Sequence, residues 1–232
     1  MILAYHAIED GPSPLFISPD LFRRHVEAIV IAPAVVVTLD DVLAGDLPER
    51  WVALTFDDAY ASVARDAAPV LADAGFAATV FCVASRIGAD NRWPGQPGSV
   101  PSRPLASTDD LAALAGQGWA IGSHGMDHAR LAGTAAPERE IVESRDLIAD
   151  VTGTPVDWFA YPYGTVSGRD LVASTYRGAV AMGNRFADAA SPAHALPRVD
   201  AHYLRRPGLL ARALRGERGY VALRRSVARL TA

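Results

Sequence analysis

Two adjacent carboxylates follow directly on an apolar stretch in the first third of the sequence. The stretch Trp51–Phe56 has the length and composition of a buried strand, and Asp57 and Asp58 come immediately after it. Successive side chains of an extended chain point to opposite faces, so we expect the two acids to have different roles. One carboxylate could bind a metal ion while the other reaches a reacting water. Helix capping is the alternative, but a cap at the helix beginning near Ala59 needs only one acid.

Two histidines, His124 and His128, follow the apolar stretch at residues 119–123. Their spacing of four lets two imidazoles converge on one cation when the segment turns helically, although such pairs also occur on ordinary surfaces. With Asp58 they form a set of nitrogen and oxygen ligands suited to Zn²⁺, Co²⁺, Ni²⁺, Mn²⁺ or Fe²⁺. Three protein ligands leave a position for water, which is typical of a catalytic metal site. We therefore expect one divalent metal ion, with Zn²⁺ as the first candidate.

Three segments of the sequence resemble the first three motifs of the polysaccharide deacetylases, carbohydrate esterase family four. In chain order they are Thr-Phe-Asp-Asp at 55–58, Ser-His-Gly-Met-Asp-His at 123–128 and Phe-Ala-Tyr-Pro-Tyr-Gly at 159–164. The order and separations match over roughly residues 2–200, which is most of the chain. The resemblance implies that Asp57 is the catalytic base and that Asp58 and the two histidines hold the metal.

The third motif lacks the arginine that often opens it in this family and orients the base. The corresponding region reads Ala160-Tyr161-Pro162-Tyr163. Arg198, which lies in a short apolar run later in the chain, is our candidate for the missing cation beside Asp57.

The general acid of the family is a histidine in a late Leu-x-x-His motif, which is not evident near the C-terminus of this sequence. The apolar strand at residues 2–6 instead ends in His6. In this respect the chain resembles circularly permuted exopolysaccharide deacetylases, in which this strand has moved to the front. The resemblance implies that His6 protonates the departing amine. A hydrogen-bonded core histidine is the alternative.

Three aromatic residues are candidates for contact with a sugar. The resemblance implies an oxyanion contact from a backbone N–H near Tyr163, and Tyr161 and Trp93 could stack on sugar rings. Aromatic residues are more often part of the core, which we expect for Tyr161. Trp93 lies in a long segment rich in Pro and Gly, and loops of that length are usually functional or mobile.

The reaction implied is hydrolysis of the N-acetyl group of an N-acetylated amino sugar in a polysaccharide, an oligosaccharide or a glycoconjugate. Asp57 would take a proton from a metal-activated water, and His6 would give a proton to the amine. Two alternatives remain at the level of sequence. One is an amidase for a small non-sugar amide, and the other is an inactive carbohydrate-binding protein of the same fold.

Apolar runs of strand length alternate with segments of helical period along the chain. The predicted strands are residues 2–6, 34–38, 51–56, 77–83, 119–123, 158–161 and 179–182. The predicted helices are residues 19–30, 59–74, 108–117 and 137–152. About seven strand–helix units favour an α/β fold with one domain, a distorted (β/α)7-type barrel of mostly parallel strands, over a doubly wound sheet. Because sites form where parallel strands end, the polar residues after these strands are expected to meet.

Composition excludes several classes of chemistry. All 22 basic residues are arginine, so enzymes with a Schiff-base lysine and proteins with a GxxxxGK[ST] phosphate-binding loop are excluded. The single cysteine, Cys82, lies in an apolar run, and one cysteine forms neither an internal disulfide nor a Cys-rich zinc site. Catalysis must therefore use Asp, Glu, His, Ser, Tyr, Arg or a metal with nitrogen and oxygen ligands.

Charge divides the chain unevenly. Residues 1–197 carry 13 Arg and 24 acidic residues, whereas residues 198–232 carry 9 Arg and 2 acidic residues. We expect residues 1–204 to form the catalytic barrel, with a loop insertion at 91–107, and residues 205–232 to form an Arg-rich helical extension that packs on it. The alternative to packing on the barrel is peripheral contact of the extension with an anionic membrane. No nucleic-acid partner is expected. Without a signal peptide or a membrane-spanning run, we expect a cytoplasmic protein.

Overall fold

The computed structural model describes residues 1–220 apart from residues 33, 207 and 218. The strands are β1 (Ile2–Tyr5), β2 (Ala7–Ile8), β3 (Phe16–Ile17), β4 (Val35–Val36), β5 (Trp51–Phe56), β6 (Thr79–Cys82), β7 (Ala120–Ser123), β8 (Trp158–Ala160), β9 (Gly178–Met182) and β10 (Leu196–Asp200). The α-helices are α1 (Pro19–Ile31), α2 (Leu39–Ala44), α3 (Ala68–Asp73), α4 (Thr108–Gly116), α5 (Ser144–Thr152), α6 (Arg169–Thr175) and α7 (Leu209–Leu214). π-Helical turns at Val63–Ala67 and Arg139–Glu143 lead into α3 and α5. Short 3₁₀ turns occupy Ala84–Arg86, Pro162–Gly164, Ala193–Ala195 and Ala201–Leu204.

Seven parallel strands close into a barrel in the order β1-β10-β9-β8-β7-β6-β5, and β5 pairs back with β1. Ile2 is in register with Ala53 on one side and with Arg198 on the other. The α/β barrel predicted from the sequence is thereby confirmed. Since β1 carries His6 at its end and lies between β5 and β10, it brings His6 next to residues of both neighbours.

One predicted strand is shorter than expected and lies outside the barrel, and one barrel strand was not predicted. Residues 34–38 contain only β4, which pairs with the first two residues of β5 and lies outside the ring of seven. The remaining barrel strand is β10, which pairs with β9 and β1. Pro197 and Arg198 interrupt its apolar pattern, and both are nevertheless buried in the barrel. The sequence analysis also missed the short helices α2 and α6.

Helix α1 covers the barrel on the side of β1. Ser18 caps the helix, its hydroxyl accepting a hydrogen bond from the Leu21 N–H. The Tyr5 ring packs edge-on against Phe22 of α1 at a centroid distance of 5.4 Å. The Tyr5 hydroxyl and His25 Nδ1 share a hydrogen bond of 3.0 Å in the interior. Burial lowers the pKa of His25 to about 4, so this histidine is neutral in the folded protein near neutral pH.

Helix α7 lies within the predicted Arg-rich extension. Its side chains Leu210, Ala213 and Leu214 are buried in the core, next to residues of the barrel. Residues 221–232 of the extension lie outside the described residues, and the domain boundaries stay predictions. In the described part of the chain, no helix has the length and apolarity needed to cross a bilayer.

The depressed pKa of His25 predicts an acid-dependent loss of stability. The unfolded chain binds a proton at this histidine near pH 6.5, whereas the folded chain binds it only near pH 4. This contribution to the free energy of unfolding is therefore complete above about pH 6.5 and falls by up to about 3 kcal/mol as the pH decreases towards 4. In His25→Gln, the free energy of unfolding in urea should differ less between about pH 7 and about pH 5 than in the wild type. An identical pH dependence in the two proteins would contradict the assignment.

Candidate active site

Asp57 and Asp58 lie where β5 ends inside the barrel mouth, and both are almost fully buried. Asp58 and Ala59 have left-handed backbone conformations, with φ of 67° and 53°. After this reversal the helical segment begins at Ala61, later than the predicted helix start at Ala59, and no side chain caps the π-helical turn. Neither acid therefore caps that turn. Instead, both carboxylates face one cavity, where they meet different partners.

Asp57 forms a two-pronged ion pair with Arg198 of β10. Arg198 Nη1 donates to Asp57 Oδ1 at 2.6 Å and Arg198 Nη2 donates to Asp57 Oδ2 at 2.7 Å, and the arginine is completely buried. Nη1 also donates to the Thr55 hydroxyl, which donates to the Leu3 carbonyl. Burial alone would raise the pKa of Asp57, but the Arg198 guanidinium holds it well below its usual range. Asp57 is thus an oriented, ionised carboxylate.

Asp58, His124 and His128 bring three ligand atoms within 4.8 Å of one another. Asp58 Oδ1 lies 3.6 Å from His124 Nε2 and 3.5 Å from His128 Nε2, and it has no hydrogen-bond partner. Ligands about 2.0–2.1 Å from a tetrahedral zinc ion would be about 3.3 Å apart, a spacing that the two Asp58–histidine distances approach. The unpartnered carboxylate oxygen and the two nitrogens are the chemistry that such an ion requires.

The hydrogen bond of His124 and the pKa of His128 suit metal binding. His124 Nδ1 lies 2.8 Å from the Ala160 carbonyl. Because a carbonyl only accepts, Nδ1 carries the hydrogen, which leaves Nε2, the nitrogen near Asp58, as the one that could bind a metal. Burial and the neighbouring His124 place the pKa of His128 well below its usual value, which favours the neutral imidazole that binds metals.

His6 faces Asp57 across the cavity. Its Nε2 lies 3.9 Å from Asp57 Oδ2, and its side chain is 16% exposed, in contrast to the more deeply buried ligands. A partly exposed imidazole beside the Asp57 carboxylate is accessible to a molecule that enters the cavity.

The aromatic candidates occupy three different environments. The Trp93 ring, only 4% exposed, packs on His128 at a centroid distance of 4.5 Å and so forms a wall of the site. The Tyr161 hydroxyl donates to the His194 carbonyl, which places this residue in the core. Tyr163, with φ of 57°, lies between His128 and the guanidinium of Arg130, whose Cζ is 3.9 Å from the ring centre.

The segment around Trp93 folds back onto the barrel. Tyr60 bridges to Leu105, and Asp90 bridges to Pro104, so the base of the segment is closed. The buried Asn91 amide donates to the Tyr60 hydroxyl. This closed base positions Trp93 over His128.

A cavity of 340 Å³ joins these groups. Its polar residues include His6, Asp57, Asp58, His124 and His128. Leu15, Val100 and Met182 contribute apolar wall. An ionised carboxylate, a candidate acid and a candidate metal centre therefore open into one space large enough for a small group of a substrate.

Two polar residues at the site were missed by the sequence analysis, Arg130 and Glu140. Arg130 packs over Tyr163, and the buried Glu140 carboxylate accepts hydrogen bonds from backbone amides next to His128. Arg130 lies two residues after His128, and this proximity is the only feature of the sequence that could have identified it as a site residue. Glu140 lies in a helical segment, where a glutamate is usually exposed.

Comparison with known proteins agrees with this arrangement. The family model described as "Polysaccharide deacetylase" matches residues 44–178, which is more than half of the chain. The chain belongs to the polysaccharide deacetylase family. The matched region includes Asp57, Asp58 and both ligand histidines, whereas His6 and Arg198 lie outside it.

Relatives within and around the family differ considerably in sequence. YxkH of Bacillus subtilis (strain 168), named for the same family, is 26% identical over 188 residues, which cover 76% of this chain and 61% of YxkH. The chain thus spans less than two thirds of that relative. The structure of IcaB from Ammonifex degensii has a TM-score of 0.74 at 21% identity, with 94% of this chain and 96% of that chain covered. The Streptococcus pyogenes deacetylase PplD, in complex with acetate, has a TM-score of 0.74 at 21% identity, with 86% and 90% covered. These structural likenesses show the shared fold.

Removing the arginine of the buried pair should destabilise the protein strongly. Arg198→Met keeps most of the side-chain volume and leaves the Asp57 carboxylate buried without its partner, at a cost of about 3–5 kcal/mol in the free energy of unfolding. Arg177→Met is the matched control, because Arg177 is 57% exposed and its ion pairs should contribute less than about 1 kcal/mol. Urea denaturation measures both. Equal, small losses for the two variants would show that the Asp57 pair does not support the barrel.

Proposed function

We propose that this chain is a metal-dependent hydrolase that removes the N-acetyl group from an N-acetylated amino sugar in a polysaccharide, an oligosaccharide or a glycoconjugate. The observation that carries the proposal is the convergence of Asp58, His124 and His128 beside an ionised Asp57 in one cavity. Family membership supports a carbohydrate substrate over a small non-sugar amide.

Asp58, His124 and His128 would hold one divalent cation, with Zn²⁺ as the first candidate and Co²⁺, Ni²⁺, Mn²⁺ or Fe²⁺ as alternatives. Such a cation supplies a Lewis acid that polarises the amide carbonyl and lowers the pKa of a water. The protein contributes two neutral imidazoles and one carboxylate, of which only the carboxylate is charged. With a divalent cation bound, the centre would keep a net positive charge, which would favour a developing oxyanion.

Asp57 is the proposed general base. Arg198 keeps both carboxylate oxygens in one orientation and keeps the group ionised. A carboxylate whose pKa is held this low is a weak base in isolation, so the role of Asp57 as a base would depend on the acidity that a bound cation would give to the water. The base and the ligand set are thus interdependent, and adjacency in the sequence, Asp57 next to Asp58, enforces their proximity.

His6 is the proposed general acid. When the carbon–nitrogen bond breaks, the amine must gain a proton, because an amide anion is a very poor leaving group. His6 Nε2 lies 3.9 Å from Asp57 Oδ2, and His6 lines the same cavity as the base. The Tyr163 backbone N–H is the proposed additional donor to the oxyanion. Trp93 and Tyr161 bound the space that the acetyl group and the sugar enter. The products are acetate and a free amino sugar.

Substitution of the base should abolish most of the activity while leaving metal binding intact. Asp57→Asn is expected to lower kcat for acetate release from N-acetylglucosamine oligomers by about 10²- to 10⁴-fold. Asp157→Asn is the matched control, because Asp157 is 46% exposed and lies outside the cavity.

Removal of the metal by a chelator should abolish acetate release in the wild type, and one of the candidate divalent ions should restore it. His124→Ala should bind that ion much more weakly. Full activity in Asp57→Asn or in metal-free protein would contradict the proposal. Binding of the oligomers without acetate release from any N-acetylated sugar would favour an inactive carbohydrate-binding protein.

The role of His6 can be separated from that of Asp57 by the leaving group. In His6→Gln, hydrolysis of an N-acetylated sugar should fall about 10²- to 10⁴-fold, because the amine is no longer protonated. Hydrolysis of 4-nitrophenyl acetate should fall much less, since nitrophenolate leaves without a proton. In Asp57→Asn both reactions should fall. Equal losses on the two substrates in His6→Gln would show that His6 is not the acid.

A further inference from the structure

Residues 124–129 run from the first ligand histidine to just after the second, and they form neither helix nor strand. We call this segment the ligand loop. Three of its amides donate to the carboxylate of Glu140. The Met126 N–H reaches Oε2 at 3.0 Å, and the Ala129 N–H reaches Oε2 at 3.4 Å. The Asp127 N–H is shared between Oε2 at 3.2 Å and Oε1 at 3.3 Å. Glu140 is itself 3% exposed, so these bonds form away from bulk water.

Gly125 allows the carboxylate to approach this closely. Its φ is 87°, and a Cβ atom at this position would lie 2.8 Å from Glu140 Oε2. Hydrogen bonds from amides to an ionised acceptor are roughly twice as strong as those between neutral groups. Without the acceptor, several amides of the loop would lose their partner, and a buried donor without a partner destabilises the conformation that buries it. The loop conformation therefore depends on Glu140.

Glu140 is held in place by a second set of bonds. It lies in the π-helical turn Arg139–Glu143, and its backbone carbonyl accepts from the Ser144 hydroxyl at 2.7 Å. The Ser144 and Ser123 hydroxyls are 2.8 Å apart, and the Gly125 N–H donates to Ser123 at 3.2 Å. These contacts tie the helical segment to the end of β7, where the ligand loop begins. π-Helical turns frequently occur at functional sites.

We propose that Glu140 is a positioning residue for the metal ligands, a role that rests on the proposed metal site. Its carboxylate binds amides on both sides of His128, at Asp127 and at Ala129, and so fixes the backbone that carries this ligand. His128 has a left-handed φ of 57°, a conformation that an unsupported histidine adopts at a cost. Glu140 offsets that cost and keeps His128 Nε2 turned towards Asp58.

The test is metal affinity, measured without reference to catalysis. Metal-free wild type, Glu140→Gln and Glu143→Gln are titrated with Zn²⁺ in competition with a chromophoric chelator, and with Co²⁺ to record the visible absorption spectrum of the ligand set. We expect Glu140→Gln to bind Zn²⁺ about 10- to 100-fold more weakly and to show an altered Co²⁺ spectrum. Glu143, 63% exposed on the same turn, is the matched control and should give wild-type values. Wild-type affinity and spectrum in Glu140→Gln would overturn the proposal.

A measurement on the wild type covers the case in which Glu140→Gln does not fold. Amide hydrogen exchange of the metal-free protein should show protection at Met126, Asp127 and Ala129, although these residues lie outside helices and strands. Exchange at the rate of an unprotected loop would overturn the role of Glu140. If the wild type binds no divalent ion, the proposed function fails. If it binds the ion and Glu140→Gln binds it equally well, only the role of Glu140 fails.

Discussion

The buried pair of Asp57 and Arg198 is the constraint on which the rest of the structure depends. Two fully desolvated charges are stable in a protein interior only when the geometry is close to ideal, and the two short bonds of this pair provide it. The partners come from β5 and β10, which are separated by β1. The barrel must therefore close through the first strand of the chain before the charges can meet. Closure also delivers His6 to the same place.

Most of the strained backbone conformations lie at the site, where they orient the ligands. Five of the described non-glycine residues have a left-handed φ. Four of them border the cavity or lie next to a residue that does: Asp58, Ala59, His128 and Tyr163. The fifth is Asn184. Each such conformation costs on the order of 1–2 kcal/mol for an L-residue. Packing around the site, such as that of Trp93 and Tyr163 on His128, accompanies these conformations. These conformations thus lower the stability of the barrel, and they place the reactive atoms.

The sequence predicted the residues that follow strands better than it predicted the strands themselves. Asp57, Asp58 and His124 end apolar runs, and parallel strands deliver their ends to one mouth, so their convergence could be anticipated. Strand β10 was missed because Pro197 and Arg198 obscure its pattern, although Arg198 was selected as the partner of Asp57. Other features depend on contacts between distant parts of the chain, which local patterns do not encode. Trp93 forms a wall over His128 only because its segment folds back, and the partners of Glu140 are backbone amides, which leave no sequence signal.

The central claim is that Asp58, His124 and His128 share one metal ion. The most direct measurement is the anomalous diffraction of crystals grown with Zn²⁺, recorded on both sides of the zinc absorption edge. We expect a single strong peak about 2.0–2.2 Å from an Asp58 carboxylate oxygen and from Nε2 of both histidines. A peak bound elsewhere with these three side chains unligated, or no peak in the cavity at all, would contradict it.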